Sequence, residues 1–462
     1  MKPIICCVAY ILSLAVADCS APAASCLPLR LSTQVEAAGE ARAGAVQPPN
    51  VSVGGQPDAN TPVTLQEYLQ CAAANNAGLK AAYEQWRAAS EQVPQAKSLP
   101  DPQVTYGYAT ESTPQRKMFE AMQMFPWPGT IEARTAVASA ESKAALKEFE
   151  AKKLELFYEV KQAFYEFCYL AKATNITNEN LQLLKHLEEV ALARYATSTA
   201  PHPDVIRAQI ELAMMENKLR SLTELRPAVV ARLNSVLNRP DFGELSRAAT
   251  SDLPWPQETR TDTDLGTRTD TEWLERVESN PQLQALAYEV EAARSSEKLS
   301  KKRFYPDIGL GVGVDSGMGD NGDDRVMARL SLTLPIWRDN YKAAQRQAKA
   351  QLNKMTQEKV QLQNTLAAKV RQILYEYQNS DREIRLYKDI VIPKAKEMVT
   401  ASETAYQAGT VDFLSLIDAQ RSLLQYQLEY EKAVAENAQR LAELEMLAGV
   451  ELAAVKKEVK DK

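Results

Sequence analysis

IGLGVGVDSGMGDNGDDRVMARLSLTLP, residues Ile308 to Pro335, is the stretch on which the fold turns. Gly317, Gly319 and Gly322 fit the spacing G-x-G-x-x-G. That fingerprint cradles a phosphate only where its glycines close a strand-to-helix turn. Here no helical pattern follows. Val326, Ala328, Leu330, Leu332 and Leu334 fall on one face, with Arg329, Ser331 and Thr333 on the other. That is the period of two of a strand. Before the glycines, Ile308, Leu310, Val312 and Val314 alternate with Gly309, Gly311 and Gly313. The stretch predicts a β-hairpin with a polar loop at its tip. A calcium loop fails as well, because Gly317 and Gly319 stand where early acidic ligands belong. One face of the hairpin is apolar, the other glycine or polar. Either the edge of a soluble sandwich or a wall of a membrane barrel has that pattern.

The whole chain narrows the choice. Of its 462 residues, 25% are charged and 45% hydrophobic, as in folded proteins. Ala, Leu, Glu, Gln and Lys dominate long stretches, which favours helix. Only 17 glycines is low for a mostly β protein of this size. The net charge of −6 gives no footprint for nucleic acid. Residues 1–26 read as a secretory signal, with Lys2 ahead of an apolar run from Ile4 to Ala17 that is too short to span a bilayer. Nothing later offers an apolar helix of spanning length, so membrane insertion would have to use strands. Cys19 and Cys26 are candidates for a lipidated first residue of the mature chain. Ala23-Ala24-Ser25 suits processing before Cys26, whereas Asp18 fits poorly before Cys19. Simple cleavage near 17–24 is the alternative. Cys71 and Cys168 fall in helical patterns, and no metal-binding CxxC is present. Residues 27–62 read as a flexible tether.

The chain then repeats itself. Asn76 to Pro102 aligns without a gap with Asn280 to Pro306, and YATSTAPHPDVIRAQ (Tyr195 to Gln209) with YQAGTVDFLSLIDAQ (Tyr406 to Gln420). The first repeat, 63–237, reads as a helix, a hairpin over 103–125, a long helix over 131–197 and a return helix over 204–237. The second, 273–452, has its hairpin over 307–334, its long helix over 341–407 and its return helix over 413–447. Each long helix would extend about 100 Å at 1.5 Å per residue. Leu362, Leu366, Val370, Ile373 and Tyr377 mark a narrow coiled-coil seam, and Pro393 should kink or break the second long helix. A pre-hairpin helix and a return helix stacked end to end would nearly match one long helix, which suggests a cylinder of antiparallel helices. Residues 238–272, with the repeat TRTDTD/TRTDTE, predict an exposed connecting segment. Residues 453–462 form a charged tail.

With the two-fold repeat, MFPWPG (Met124 to Gly129), TLPIW (Thr333 to Trp337) and YQAGTVDFLSLIDAQ in view, the chain resembles the TolC-like outer-membrane efflux proteins over about Thr64 to Leu452. Its FPWPG form is similar to the branch serving heavy-metal and cation efflux. The resemblance implies a mainly α fold with membrane β. Long helical hairpins would form a hollow trunk in the periplasm of a Gram-negative-type bacterium. A homotrimer, giving four strands per chain, would close a twelve-stranded barrel in the outer membrane. It implies a passive conduit for metal cations or drugs, with a periplasmic adaptor and an inner-membrane pump as partners. No cofactor and no enzymatic activity are implied. The faces facing lipid would be Val104, Tyr106, Tyr108, Ile308, Leu310, Val312, Leu330, Leu332 and Leu334. Trp127 and Trp337 suit either an aromatic belt or packing where barrel meets helices. Pro126 and Pro335 suit a strand-to-helix turn, since proline starts helices well. The tips at Tyr195, Ser198, Tyr406 and Gly409 would meet the adaptor. Asp204 and Asp418 would narrow the entrance, where carboxylate rings favour cations; alternatively, Asp204 caps its helix and Asp418 is a solvated helix residue. Ser198 stands where the family usually has glycine. Val411 stands where some members carry an arginine that locks the closed state.

Rival classes have little support. The only histidines are His186 and His202, and no catalytic constellation accompanies them. Met118, Met122, Met124, Met214 and Met215 offer soft ligands. The first three share the strand face opposite Phe119, Ala121 and Phe125, where packing inside a barrel wall is the simpler account. Met214 and Met215 are adjacent on a helix and diverge. A periplasmic structural coiled-coil protein without a pore is the alternative, but such a rod has no use for duplicated hairpins.

Overall fold

The first described helix, α1 (Leu65–Asn75), is opened by a capping box in which Thr64 and Glu67 satisfy each other's backbone N–H groups. The computed structural model describes residues 64–109, 116–239, 273, 276–316 and 325–449. The expected signal segment and tether, Cys19 and Cys26, nearly all of the connecting segment, the tail, and Gly317, Gly319 and Gly322 lie outside the described residues. After α1 come α2 (Ala77–Lys97), β1 (Gln103–Ala109), β2 (Arg116–Phe125), α3 (Thr130–Ala196) and α4 (His202–Val236). The second half contributes α5 (Pro281–Lys302), β3 (Asp307–Ser316), β4 (Arg325–Thr333), α6 (Arg338–Leu386), α7 (Ile392–Gln407) and α8 (Phe413–Ala448).

The repeat is visible in its hydrogen bonds. Asn76 accepts from the backbone N–H of Leu79, and Asn280 from that of Gln282, so each caps the helix before a hairpin. Each also reaches the end of the return helix: Asn76 Nδ2 donates to Val236 O at 3.0 Å, and Asn280 Nδ2 to Leu447 O at 2.9 Å. One residue type thus starts one helix and closes another in both halves. The return helices end in left-handed residues, Asn238 with φ 53° and Gly449 with φ 71°.

The sequence predicts one long helix over 341–407 with a kink or break near Pro393. The structure has α6, a π-helical turn at Tyr387–Val391, then α7. Proline has no N–H for the carbonyl four residues back and clashes with it. The wider turn just before Pro393 removes that conflict. Pro94 and Pro227 also lie inside helices, α2 and α4, which the sequence did not flag.

Apolar seams line the helix contacts. Tyr68, Leu156, Val160, Phe164, Phe167 and Leu233 form one cluster among α1, α3 and α4. Leu366, Val370, Ile373 and Tyr377 of the predicted seam form its counterpart with Leu444 and Leu447 of α8. Cys71 and Cys168 are free thiols, and burial pushes that of Cys168 up to about 12.

The four strands form one antiparallel sheet in the order β1-β2-β3-β4. The β2–β3 pairing, from Lys117↔Ser316 to Phe125↔Ile308, joins the two hairpins. The ladder ends at Asp307↔Thr333, so Leu334, expected in the strand, lies one residue past it. There its carbonyl accepts from the N–H of Ile336 at 3.0 Å as the chain turns away. Pro126 and Pro335 lie in the strand-to-helix turns, ahead of the caps of α3 and α6, which are Gly129, with φ 85°, and Trp337. Trp127 and Trp337 differ. Trp127 stacks on Tyr305 at 5.0 Å and donates its backbone N–H to Asp307, so it packs where strand meets helix. Trp337 is 80% exposed.

Candidate functional site

Two regions carry the expected functional residues. One is the helical tip formed by the α3–α4 and α7–α8 turns; the other is the sheet.

At the tip the aligned tyrosines have different surroundings. Tyr195 is half exposed with its ring near His202, whereas Tyr406 is 3% exposed against Phe413. Arg194, the residue before Tyr195, reaches across. Its Nη1 donates to the carbonyl of Tyr406, and its guanidinium lies 4.5 Å over the Tyr406 ring. Its Nη2 also donates to Thr199 O at 3.5 Å. A Cβ at Gly409 would stand 3.7 Å from that nitrogen, and Gly409 holds φ 74°. Ser198, aligned with Gly409, also adopts the left-handed region, at φ 63°. A residue with a Cβ is strained there, by roughly 1–2 kcal/mol.

Asp204 is not the helix cap that one reading offered. The cap is Pro201, and Asp204 lies within α4, its side chain 7% exposed as a residue. Burial pushes its carboxyl above the ordinary carboxylate value; Arg207 pulls the other way and Asp412 adds to the rise. The α8 turn is capped by Asp412 instead. It accepts from the backbone N–H of Ser415 at 3.1 Å and from its hydroxyl, which hold its carboxyl below the ordinary value. Asp418 is a solvated helix residue, 3.7 Å from Arg421. Arg421 itself grips the nearly buried Glu211 of α4 with two nitrogens. Tyr195, Ser198, Tyr406, Gly409 and Asp204 therefore belong to one end of the molecule. Arg194, Phe413 and the Arg421–Glu211 pair are what sequence reasoning missed. The available signal was Arg194 itself, which aligns with Ala405.

On the sheet, the register sorts the side chains. Val104, Tyr106 and Tyr108 share a face with Phe119, Ala121 and Phe125, with Ile308, Leu310 and Val312, and with Leu330 and Leu332. Apart from Ile308, which is half-buried, the named expected residues are exposed; Tyr106 is 63% and Leu330 65% exposed. The opposite face holds Met118, Glu120, Met122 and Met124 on β2, glycines on β3, and Met327 and Arg329 on β4. Glu120 is buried there, its Oε2 paired with Arg329 across the glycine column. Among the described residues no group of three or more His, Cys, Asp or Glu is arranged to hold a metal ion. No described helix is long and apolar enough to cross a membrane.

Residues 275–450 match the family model described as outer membrane efflux protein. Cobalt-zinc-cadmium resistance protein CzcC of Cupriavidus metallidurans is 22% identical over 403 residues, covering 85% of this chain and 91% of that protein. Pyoverdine export outer membrane protein OpmQ of Pseudomonas putida is 24% identical over 307 residues, covering 65% and 63%. Among solved structures, CusC superposes with a TM-score of 0.73 at 14% identity over 84% of this chain and 92% of that one.

Proposed function

We propose, from the premise that this chain is a TolC-like outer-membrane efflux protein, that it is the passive channel of a tripartite export system. The observation that carries this is the sheet. One of its faces is largely apolar, interrupted on β2 by Gln123 and Lys117, and among the described residues its outer strands, β1 and β4, are each paired on one side only. Unpaired strand edges are not tolerated in lipid, so an apolar sheet of this kind closes on copies of itself. Three chains would give a twelve-stranded barrel, with Val104, Tyr106, Tyr108, Ile308, Leu310, Val312, Leu330, Leu332 and Leu334 toward outer-membrane lipid. The helices would continue the conduit through the periplasm.

The turns at Tyr195, Ser198, Tyr406 and Gly409 are then the surface offered to a periplasmic adaptor, through which an inner-membrane pump drives export. The channel contributes no chemistry. Asp418, exposed near the tip, would add negative charge at the entrance, to which the buried Asp204 of the same end would contribute. Carboxylates at a constriction favour cations over anions. The CzcC relative is named for cobalt, zinc and cadmium resistance, which favours metal cations as cargo.

The test is conductance of the purified protein in planar bilayers, with its mass measured in detergent. A trimer giving discrete steps, with cation preference reduced by Asp418→Ala, is expected. A monomer that never inserts would leave a periplasmic coiled-coil scaffold as the better account.

A further inference from the structure

We propose that the polar face of the sheet carries a binding station for a soft monovalent cation of the Cu(I) or Ag(I) type, formed by the thioethers of Met122 and Met124 beside the carboxylate of Glu120. The purpose of such a station rests on the export reading above; the binding itself does not.

Three observations converge on this face. The register sets Met122 opposite Gly311 and Met124 opposite Gly309. With no side chains on β3 between them, the two methionines share the groove. A Cβ added at Gly309 would meet Met124 Sδ at 2.8 Å and Met122 Sδ at 3.3 Å, so both sulfurs approach one point. Glu120 is next on the same face of β2, two residues from Met122. It is only 4% exposed, and its Oε1 has no hydrogen-bond partner among the described residues, while Oε2 is held by Arg329. A buried carboxylate oxygen left unmatched is destabilising, which a cation would relieve. On the same face, Met118 lies one row beyond Glu120 and Met327 lies level with it across Gly313.

The chemistry follows from the ligand types. Thioethers are neutral at every pH and bind soft ions such as Cu(I) in preference to hard ones. The carboxylate supplies the charge that two thioethers lack. Arg329 takes up one carboxylate oxygen and offsets its charge, which keeps the site weak. A station in a conduit has to release what it binds. Packing alone would not require sulfur. Leucine fills a similar volume and is usually tolerated in place of methionine, so substitution by leucine separates shape from ligation.

The experiment is a titration of the full chain in detergent with silver nitrate in chloride-free buffer, read by NMR of methionines labelled in the methyl group. The Met122 and Met124 signals should shift together and saturate, while those of Met214 and Met215 on α4 stay in place. Met122→Leu with Met124→Leu should weaken binding at this site at least tenfold. Glu120→Gln, which leaves both sulfurs, should weaken it several-fold and serves if the double variant does not fold. Methyl signals of Met122 and Met124 that ignore silver, or affinity unchanged in a folded variant, would overturn the proposal. Bilayer conductance separates the two readings: a channel that conducts while these methionines ignore silver loses the station and keeps its pore. Silver binding at these two methyls in a protein that never conducts keeps the station and loses the pore.

Discussion

Arg194→Ala should loosen the second tip although the residue belongs to the first. Arg194 makes two contacts with the α7–α8 turn: a charged hydrogen bond to the carbonyl of Tyr406 and a stack over its ring at 4.5 Å. A hydrogen bond to a charged group contributes about 1.5–3 kcal/mol, and a cation–π contact at a partly exposed site about 0.5–1 kcal/mol. Arg194 is half-buried, so screening places the total near the lower part of that range, about 2–3 kcal/mol. At 1.4 kcal/mol per factor of ten, the local opening of the turn should become about 30- to 140-fold more populated. Amide hydrogen exchange reads this directly. The probes are the N–H groups of Gly409 and Thr410, which bond to Tyr406 O at 3.0 Å and Ala405 O at 2.9 Å. Their protection should fall by that factor, while amides in the middle of α6 keep theirs. Arg194→Lys keeps the charge but not the planar stack, and should recover only part of the loss. Protection at Gly409 and Thr410 equal to that of the parent would refute the reasoning, because the contacts would then have no energetic weight.

Two further predictions concern the repeat and the buried acid. Asn280→Ala removes a helix cap and the donor to Leu447 O from a buried site, and should cost about 2–4 kcal/mol; Asn76→Ala, at a half-buried site, should cost about half as much, and guanidinium unfolding followed by circular dichroism would show two equal losses if the ranking is wrong. Burial raises the Asp204 carboxyl above its unfolded value, so between those two values the folded tip binds more proton than the unfolded chain, and stability there falls as pH rises. Asp204→Asn should flatten the pH dependence of amide exchange in the first turns of α4, and an unchanged slope would exclude Asp204 as its source.

What the sequence made legible was local. Period-two alternation marked the strands, the spacing of Leu366, Val370, Ile373 and Tyr377 marked a seam that is indeed buried, and Pro393 marked the break that the π turn absorbs. Strand and helix ends were legible to within a few residues, because hydrogen-bond ladders stop where neighbours stop, as at Leu334, and no single residue type dictates that. The site was less legible. Arg194 acts on a backbone carbonyl 212 residues away, and a carbonyl acceptor has no sequence signature. The cap offered for Asp204 rested on a return helix that starts at 204. The helix begins earlier, at His202, which leaves Asp204 inside its first turn and buried. Pairing of β2 with β3 was also out of reach of local patterning, since it joins strands nearly two hundred positions apart.

Duplication explains why the two tips are alike in backbone and unlike in chemistry. Both turns use a left-handed residue, but the second has Gly409 and the first has Ser198 under strain. Tyr406 is buried and Tyr195 is half exposed. Arg194 has no counterpart, because Ala405 fills its place. Asp204 aligns with Ser415, which instead serves Asp412 as a capping partner. The contact between the turns through Arg194 is one-sided: the first turn supplies Arg194, and the second supplies the ring and carbonyl of Tyr406 that it grips. Separating the two turns would have to break both contacts that Arg194 makes with Tyr406.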